Sequence, residues 1–278
     1  MKRLLLLCLP ALMFLISCKK DDAPAPVITP DPVIVPAPSD DTARILLKDV
    51  LETNLPSPFY HFEYDNNRYA TKISFASDLD VYNVQYENKR VSRMINTKNN
   101  NQLNYTYTNS RVSLITEISG ITGMKTWEYH FAYNTLHQLT EIKWIRFENG
   151  GQFINRKAEL TYYIDGNLET VDNFRADAAG QLAWSSKIQY RDYDTGTNVS
   201  GITLMKDFFE TLLYLPSVRL HKNNPRTEII TGSVNDYKTT YVYQYNNGLP
   251  VKTIATTQQT RGTNAGQTFV STSQYSYY

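Results

Sequence analysis

From residue 59 to the C-terminus, apolar and aromatic residues alternate with polar ones in short bursts, and the bursts recur. Each is a strand-like stretch ending in apolar-x-Tyr, followed by a turn of Asn, Asp or Gly. An apolar residue comes next, with a second one three positions later. Copies begin at Phe62-Glu63-Tyr64, Val84-Gln85-Tyr86, Tyr105-Thr106-Tyr107, Phe131-Ala132-Tyr133, Leu160-Thr161-Tyr162, Ile188-Gln189-Tyr190 and Tyr243-Gln244-Tyr245. The terminal Tyr275-Ser276-Tyr277-Tyr278 reads as one more outgoing strand. The key tyrosines lie 22, 21, 26, 29, 28 and 55 residues apart, so the last gap holds an insertion. A period of 20–30 residues with turn chemistry in each unit marks a repeat array. Asn-Asn, Asn-Gly and Asp-Gly tolerate the positive φ of a tight hairpin.

The outgoing strands alternate cleanly. In Trp127-Glu128-Tyr129-His130-Phe131-Ala132-Tyr133 the aromatics share one face; Tyr237, Tyr241, Tyr243 and Tyr245 share another, with Lys238, Thr240 and Gln244 opposite. Period-two alternation predicts a sheet with one wet face. The return strands depart from it. Val91 and Met94, Val112 and Ile115, Leu139 and Ile142, Leu168 and Val171, and Val251 and Ile254 are three apart. One of each pair falls on the wet face unless a bulge intervenes. Two segments carry helical spacing instead. Asp40 or Asp41 can cap a helix to about Glu52, with Ala43, Leu46, Leu47, Val50 and Leu51 on one side. A second helix is expected from about Thr203, with Met205, Phe208, Phe209, Leu212 and Leu213 buried and Pro216 as its stop. Such a helix could cover an open sheet or plug a partly closed barrel. The fold expected is mainly β: a long antiparallel meander of consecutive hairpins, strongly curled or barrel-like, with an N-terminal and an inserted helix.

The N-terminus has a different pattern. Met1-Lys2-Arg3 precedes an apolar run from Leu4 to Ile16, then Ser17-Cys18. These are the parts of a secretory signal, and the run is short for a permanent membrane helix. Leu15-Ile16-Ser17-Cys18 resembles a bacterial lipobox, in which the thiol of Cys18 is lipidated and becomes the first residue. Residues 19–41 hold Pro24, Pro26, Pro30, Pro32, Pro36 and Pro38. Proline at that spacing forbids helix and favours extended polyproline II, so some 20 residues reach roughly 60 Å. The domain organisation expected is a signal peptide over 1–17, a lipidated cysteine and Pro-rich tether over 18–40, and one repeat-built β domain over 41–278.

Lys19-Lys20-Asp21-Asp22, directly after Cys18, resembles the Lys-then-two-acids signal that Bacteroidota lipoproteins use for transport to the cell surface. Asp41-Thr42-Ala43 fits the short motif those bacteria use for O-glycosylation, with Thr42 as the acceptor, although a helix cap explains the same aspartates. The Tyr-x-Tyr-turn-Gly-Leu-x-x-Ile units resemble YD/Rhs-type repeats. With the lipobox and tether, the whole is similar to Bacteroidota lipoproteins of unknown function described as having a porin-like fold. That resemblance implies an outer-membrane, lipid-anchored, surface-exposed protein with a curled antiparallel meander. It transfers no catalytic residue.

Composition narrows the chemistry. Removing residues 1–17 leaves 26 basic against 27 acidic residues, with no dense basic run, which argues against nucleic acid. Cys8 leaves with the signal and Cys18 is acylated, so the mature domain has no disulfide, cysteine metal site or cysteine nucleophile to offer. The 21 tyrosines suit strands whose rings are inside and whose hydroxyls reach a polar partner.

No catalytic signature emerges. His61, His130, His137 and His221 form no metal pair at helical spacing, and His61 and His130 belong on wet strand faces. Asp165-Gly166-Asn167 and Asp65-Asn66-Asn67 lack a calcium loop's full set of oxygens and read as turns. The scattered carboxylates do not mark a glycosidase pair. No metal and no cofactor is expected. Trp127, Trp144 and Trp184 are the candidates for stacking on a ligand such as a sugar. Core packing is the competing expectation for Trp127 and Trp184, which share a face with Tyr and Ile; Trp144 shares its face with Ile142 and Arg146. The function expected is a non-enzymatic surface lipoprotein, with a binding or structural accessory role. The membrane is its partner through the Cys18 anchor, and a glycan or surface protein is the candidate ligand. The alternatives are a surface glycan hydrolase and a small transmembrane barrel.

Overall fold

The computed structural model describes residues 45–199, 203–205, 211–216 and 218–278. In chain order the strands are β1 (Leu47–Glu52), β2 (Tyr60–Tyr64), β3 (Ala70–Phe75), β4 (Asp80–Glu87), β5 (Arg90–Asn96), β6 (Gln102–Thr108), β7 (Arg111–Ile118), β8 (Lys125–Tyr133) and β9 (Leu139–Glu148). Then follow β10 (Gly151–Tyr162), β11 (Leu168–Ala176), β12 (Leu182–Arg191), β13 (Thr203–Met205), β14 (Leu213–Leu215), β15 (Thr227–Gly232), β16 (Asp236–Asn246), β17 (Leu249–Arg261) and β18 (Thr268–Tyr277). Sixteen of them form one closed antiparallel barrel of consecutive hairpins, in which β1 pairs with both β2 and β18. Closure leaves no open sheet edge. The remaining two, β13 and β14, form a small hairpin of their own.

The repeat is a rim device. All its turns lie at one end of the barrel, the repeat rim, and Asn88–Lys89, Asn109–Ser110 and Asn247–Gly248 each have two successive positive φ values, as tight hairpins require. At six of the seven repeat tyrosines, all but Tyr190, the register shifts: between Glu63 and Tyr64, Gln85 and Tyr86, Thr106 and Tyr107, Ala132 and Tyr133, Thr161 and Tyr162, and Gln244 and Tyr245. The extra residue sits on the return strand, and it reconciles a spacing of three with burial on one face. Val91, Met94, Val112 and Ile115 are all fully buried, and Leu139 and Ile142 nearly so. Thr71, Ser92, Ser113 and Thr140 occupy the bulge position, and each hydroxyl donates to a carbonyl across the strand pair at 3.3–3.4 Å. In the last copy the inward pair is Pro250 and Thr253, aligned with Tyr245 and Tyr243, and not Val251 and Ile254; there Val251 is the bulge residue.

The repeat tyrosines have a second task. Tyr64, Tyr107, Tyr133, Tyr162 and Tyr277 donate their hydroxyls to the carbonyls of Leu47, Val91, Val112, Leu139 and Pro250, each on the preceding strand, at 2.6–2.9 Å. The acceptors are the residues where a bulge interrupts the ladder, so the tyrosine supplies a donor that regular pairing does not. Burial raises the phenol pKa of Tyr133 and Tyr162, which keeps them as donors.

Neither expected helix occurs among the described residues. Leu47–Glu52 is the strand that closes the barrel, and a register shift between Leu47 and Asp49 lets Leu47 and Val50 both face inward. That three-residue spacing, read as helical, is the signature of the same bulge. The inserted segment is the β13–β14 hairpin, with Thr203 opposite Leu215 and Met205 opposite Leu213. Leu212, Leu213, Tyr214 and Leu215 are all buried, since both faces of the strand are covered. Phe208 and Phe209 lie outside the described residues, as do Cys18, Lys19, Lys20, Asp21, Asp22 and Thr42.

This hairpin fills the apolar half of the lumen. Leu212, Leu213, Tyr214, Leu215 and Val218 join one core with inward residues of the barrel wall such as Phe62, Ile73, Met94, Leu103 and Ile115. It is anchored by polar bonds as well: Tyr105 Oη donates to the Tyr214 carbonyl at 3.0 Å, Leu212 N–H reaches Tyr82 Oη at 3.5 Å, and Thr211 Oγ1 donates to Glu117 Oε2 at 3.0 Å. The insertion is also tied to the repeat rim. Asn167 Oδ1 accepts the N–H groups of Lys222 and Asn223 at 2.9 and 2.8 Å, and Asn224 Nδ2 donates to Tyr245 Oη at 2.9 Å.

The outer wall has the opposite character. Glu63 pairs with Lys72, Glu128 with Lys125 and His130, Glu141 with Lys143 and Lys157, Glu159 with Lys157, and Asp172 with Lys187, all at strand positions. His61 and His130 face outward as expected, His61 against Asp49 at 2.6 Å.

Candidate functional site

The inner wall of β8 to β11, toward the end opposite the repeat turns, breaks the apolar pattern. Register places Trp127 opposite Arg146 and Tyr129 opposite Trp144. It then places Phe153 opposite Arg146, Arg156 opposite Trp144, and Arg156 opposite Arg175. Directly opposed residues of an antiparallel pair share a face. Tyr129 and Trp144 are core residues, so this whole set faces inward. A register shift between Ile154 and Arg156 re-aims the chain there, so that Phe153 and Arg156 both point in despite a spacing of three.

The charges in this sector are mostly positive. The Arg156 guanidinium lies over the Trp144 ring, 4.7 Å from its centroid, and its Nη2 reaches Asn173 Oδ1 at 3.5 Å. Arg146 lies 5.9 Å from the Trp127 centroid and pairs with Glu148 at 3.2 Å. Arg175 is exposed and, among the described residues, has neither a hydrogen-bond nor an ion-pair partner. Phe153, 37 % exposed, gives an open aromatic face beside them. Cation–π placement holds a guanidinium flat and leaves its N–H fork for an acceptor.

Glu117, also on this inner wall, opposes Trp127. It is not open for chemistry: Asn101 Nδ2 and Tyr129 Oη donate to it at 2.9 Å, and Thr211 takes up a further lone pair. Elsewhere on the inner wall, Glu228 accepts from Tyr241 Oη at 3.2 Å and Glu52 from Ser273 Oγ at 2.7 Å; burial raises both carboxyl pKa values. His221 is enclosed with its ring edge on Tyr190, and burial lowers its pKa to about 4. Tyr193 Oη lies 2.7 Å from His221 Nδ1 and donates to the Leu168 carbonyl at 2.6 Å, so Nδ1 carries the proton that the ring gives to Tyr193. Among the described residues no group of three or more His, Cys, Asp or Glu could hold a metal ion. Asp65 and Asp165 cap turns, accepting the N–H groups of Asn67 and Tyr69, and of Asn167.

Of the tryptophans singled out by sequence, Trp127 and Trp144 are brought together with the arginines. Trp184 is not. A register shift between Asn173 and Phe174 sets Trp184 opposite Phe174 on the outer wall, 43 % exposed, with Nε1 on Asp172 at 3.3 Å. Core packing is therefore not its role. Sequence reasoning missed Phe153, Arg156 and Arg175; the available signal was arginine on the inward phase of strands whose neighbours are apolar.

No protein-family model matches the chain, and no curated protein is similar to it. Similar solved structures share the fold. A porin-like protein from Bacteroides uniformis is 16 % identical with a TM-score of 0.55, over 84 % of this chain and 95 % of that one. A porin-like protein from Bacteroides vulgatus is 11 % identical with a TM-score of 0.56, over 84 % of this chain and 99 % of that one. At such identities the likeness bears on the fold alone.

Proposed function

We propose that this chain is a non-enzymatic, lipid-anchored protein of the outer membrane, exposed at the cell surface, whose barrel stands in water and binds a ligand on its inner wall near Arg156 and Arg175. The observation that carries the reading is the polarity of the wall. Charged pairs stand at outer positions of β2–β3 and β9–β12, and an apolar hairpin fills the lumen on the side of Tyr82, Tyr105 and Glu117. A membrane-spanning barrel needs the reverse, an apolar outer band about 25 Å tall around a polar lumen; Lys or Arg at the bilayer midplane costs about 2–4 kcal/mol each. The porin-like fold is thus used here without a pore. Cys18 and the Pro-rich tether supply the membrane attachment that the wall itself does not. The occupied oxygens of Glu117 favour binding over hydrolysis, since a glycosidase needs two carboxyl groups free to exchange protons with substrate.

The test is the mature chain, residues 18–278, produced without its signal and therefore without lipid. It is expected to stay in aqueous solution without detergent, with a β-rich far-UV spectrum, and to float free of liposomes. A chain that acquires β structure only in detergent or bilayers contradicts the proposal.

A further inference from the structure

We infer that the inner wall around Glu52, just inside the end opposite the repeat turns, is a binding site for an organic ammonium ion, a protonated amine carried on an apolar body. The site stands apart from the arginines of the inner wall: β1 and β11 are six strand steps apart in the barrel order. Glu52 shares the inward phase of Val50 on β1 and opposes Ser273, whose hydroxyl donates to Glu52 Oε1 at 2.7 Å. Among the described residues that is the one hydrogen bond of its carboxyl, and no cation pairs with it. Glu52 Oε2 is neither paired nor sealed from solvent. The inward positions around it are uncharged: Thr253 and Ala255 on β17, Ser271 and Tyr275 on β18, Val50 on β1 and Tyr60 on β2. Lys252, beside Thr253, has the outward phase. Burial raises the Glu52 carboxyl pKa, and no neighbouring positive charge pulls it down.

Aromatic rings and room complete the site. The phenols of Tyr60 and Tyr275 lie near enough to Glu52 for its charge to oppose their ionisation, so both stay neutral beside it. Tyr60 packs edge-on against Phe59, with ring centroids 5.1 Å apart. A carboxylate among neutral aromatic rings attracts an ammonium group twice, by its charge and by the negative faces of the rings. The next inward positions of β18 toward the rim, Ser271 and Phe269, are exposed, Phe269 by 55 %. Inward residues of the filled half, such as Phe62, Ile73 and Met94, have no exposure at all. The lumen is therefore open to solvent beside Glu52, and the Phe269 ring offers a contact for an apolar body. A hard metal cation would want several oxygen ligands, where this wall offers one carboxylate.

Other places in the fold say less. Glu228 is also inward, but Tyr241 and Tyr190 both donate to it. The outer-wall rings Phe147 and Phe174 are each capped by a lysine, Lys125 at 4.4 Å and Lys157 at 5.3 Å, which satisfies them without a ligand.

The purified lipoprotein in nonionic detergent micelles is titrated by calorimetry with phenethylammonium and, separately, with 2-phenylethanol and 3-phenylpropanoate, the heats of empty micelles being subtracted. The three probes share a ring and differ in charge. The cation is expected to bind saturably, the alcohol at least about tenfold more weakly, and the anion not at all. Glu52→Gln, which can still accept from Ser273, should weaken the cation by about tenfold or more. Ser271→Lys, at an exposed position, sets a resident ammonium beside Glu52 and should weaken it as much without touching the carboxyl. Glu63→Gln, on the outer wall, should bind like the parent. Equal affinity for cation and alcohol, no binding of the cation, or unaltered binding by either Glu52→Gln or Ser271→Lys overturns the inference. So does potassium that displaces phenethylammonium at equal concentration, since a plain cation site would then suffice.

Discussion

Glu117 on β7 accepts a hydrogen bond from Thr211, which lies 94 positions later in the segment leading into β14, at 3.0 Å. One carboxylate thus joins the wall to the hairpin that fills it. Tyr129 and Asn101 hold the same group from the wall side.

Glu117→Ala is expected to strand the buried Tyr129 hydroxyl and the half-buried Asn101 and Thr211 donors and to cost about 3 kcal/mol, while Thr211→Ala costs about 1 kcal/mol. Because they share a bond, the double variant should cost less than the sum of the two. Denaturant unfolding of all three variants checks this; strict additivity would mean that Thr211 is not tied to Glu117.

The tyrosine bonds at the repeat rim predict a graded effect. Tyr64→Phe, Tyr133→Phe and Tyr277→Phe each remove one hydroxyl and leave one carbonyl without its donor. Each should cost about 1 kcal/mol, with near-additive effects for Tyr133 combined with either of the others, whereas Tyr64 and Tyr277 meet at Leu47, which accepts the Tyr64 hydroxyl and pairs with Tyr277. Unfolding midpoints in urea measure it. No change in any of the three would show that the hydroxyls contribute nothing beyond their rings.

His221 predicts a pH dependence of known sign. Burial holds its folded pKa at about 4, below the unfolded value of about 6.5. Its stabilising share is therefore complete above about pH 6.5 and is lost as pH falls toward 4, on the order of 3 kcal/mol by then, because the unfolded chain binds the proton first. His221→Gln should flatten the stability profile between those pH values relative to the parent. Parallel profiles in that window would contradict the assignment. The comparison between variant and parent isolates His221 from Glu228 and Glu52, whose raised pKa values act in the opposite direction as pH falls.

Much of this fold is legible in the sequence. The apolar-x-Tyr, turn, apolar-x-x-apolar unit encodes one hairpin, its rim turn and its bulge. What period alone does not reveal is that a spacing of three has two causes. Leu47 and Val50 have it through a bulge in a strand, and the same numbers fit one side of a helix. The Leu212–Leu215 run is buried on both faces, so no alternation distinguishes strand from helix there. Closure was illegible because it depends on β1 meeting β18, more than 200 residues apart in the chain. The site was half legible: Trp127 and Trp144 drew attention by type, but Arg156 and Arg175 meet only once the register of β10 and β11 is known.

The anchor is tested at Cys18. Cys18→Ala should leave the chain unprocessed or unanchored. A variant that loses residues 1–17 and still partitions into detergent like the parent would remove the lipidation assignment.

The central claim, that the outer wall faces water and the lumen is filled, is tested most directly by thiol labelling in membrane fragments open on both sides. Cys8 and Cys18 are the chain's two cysteines, and under the proposed processing, which removes Cys8 and acylates Cys18, single cysteines report without background. Replacements at the outward Glu63, Lys72, Glu141, Lys143 and Glu159 should all react with a membrane-impermeant maleimide, at every height of the wall. Replacements at the inward Ile142 and Ala158 should stay protected until the chain is unfolded. Protection of the outward set at mid-wall, with reactive inward positions, would mean that lipid surrounds the barrel and water fills it, and the account would be wrong.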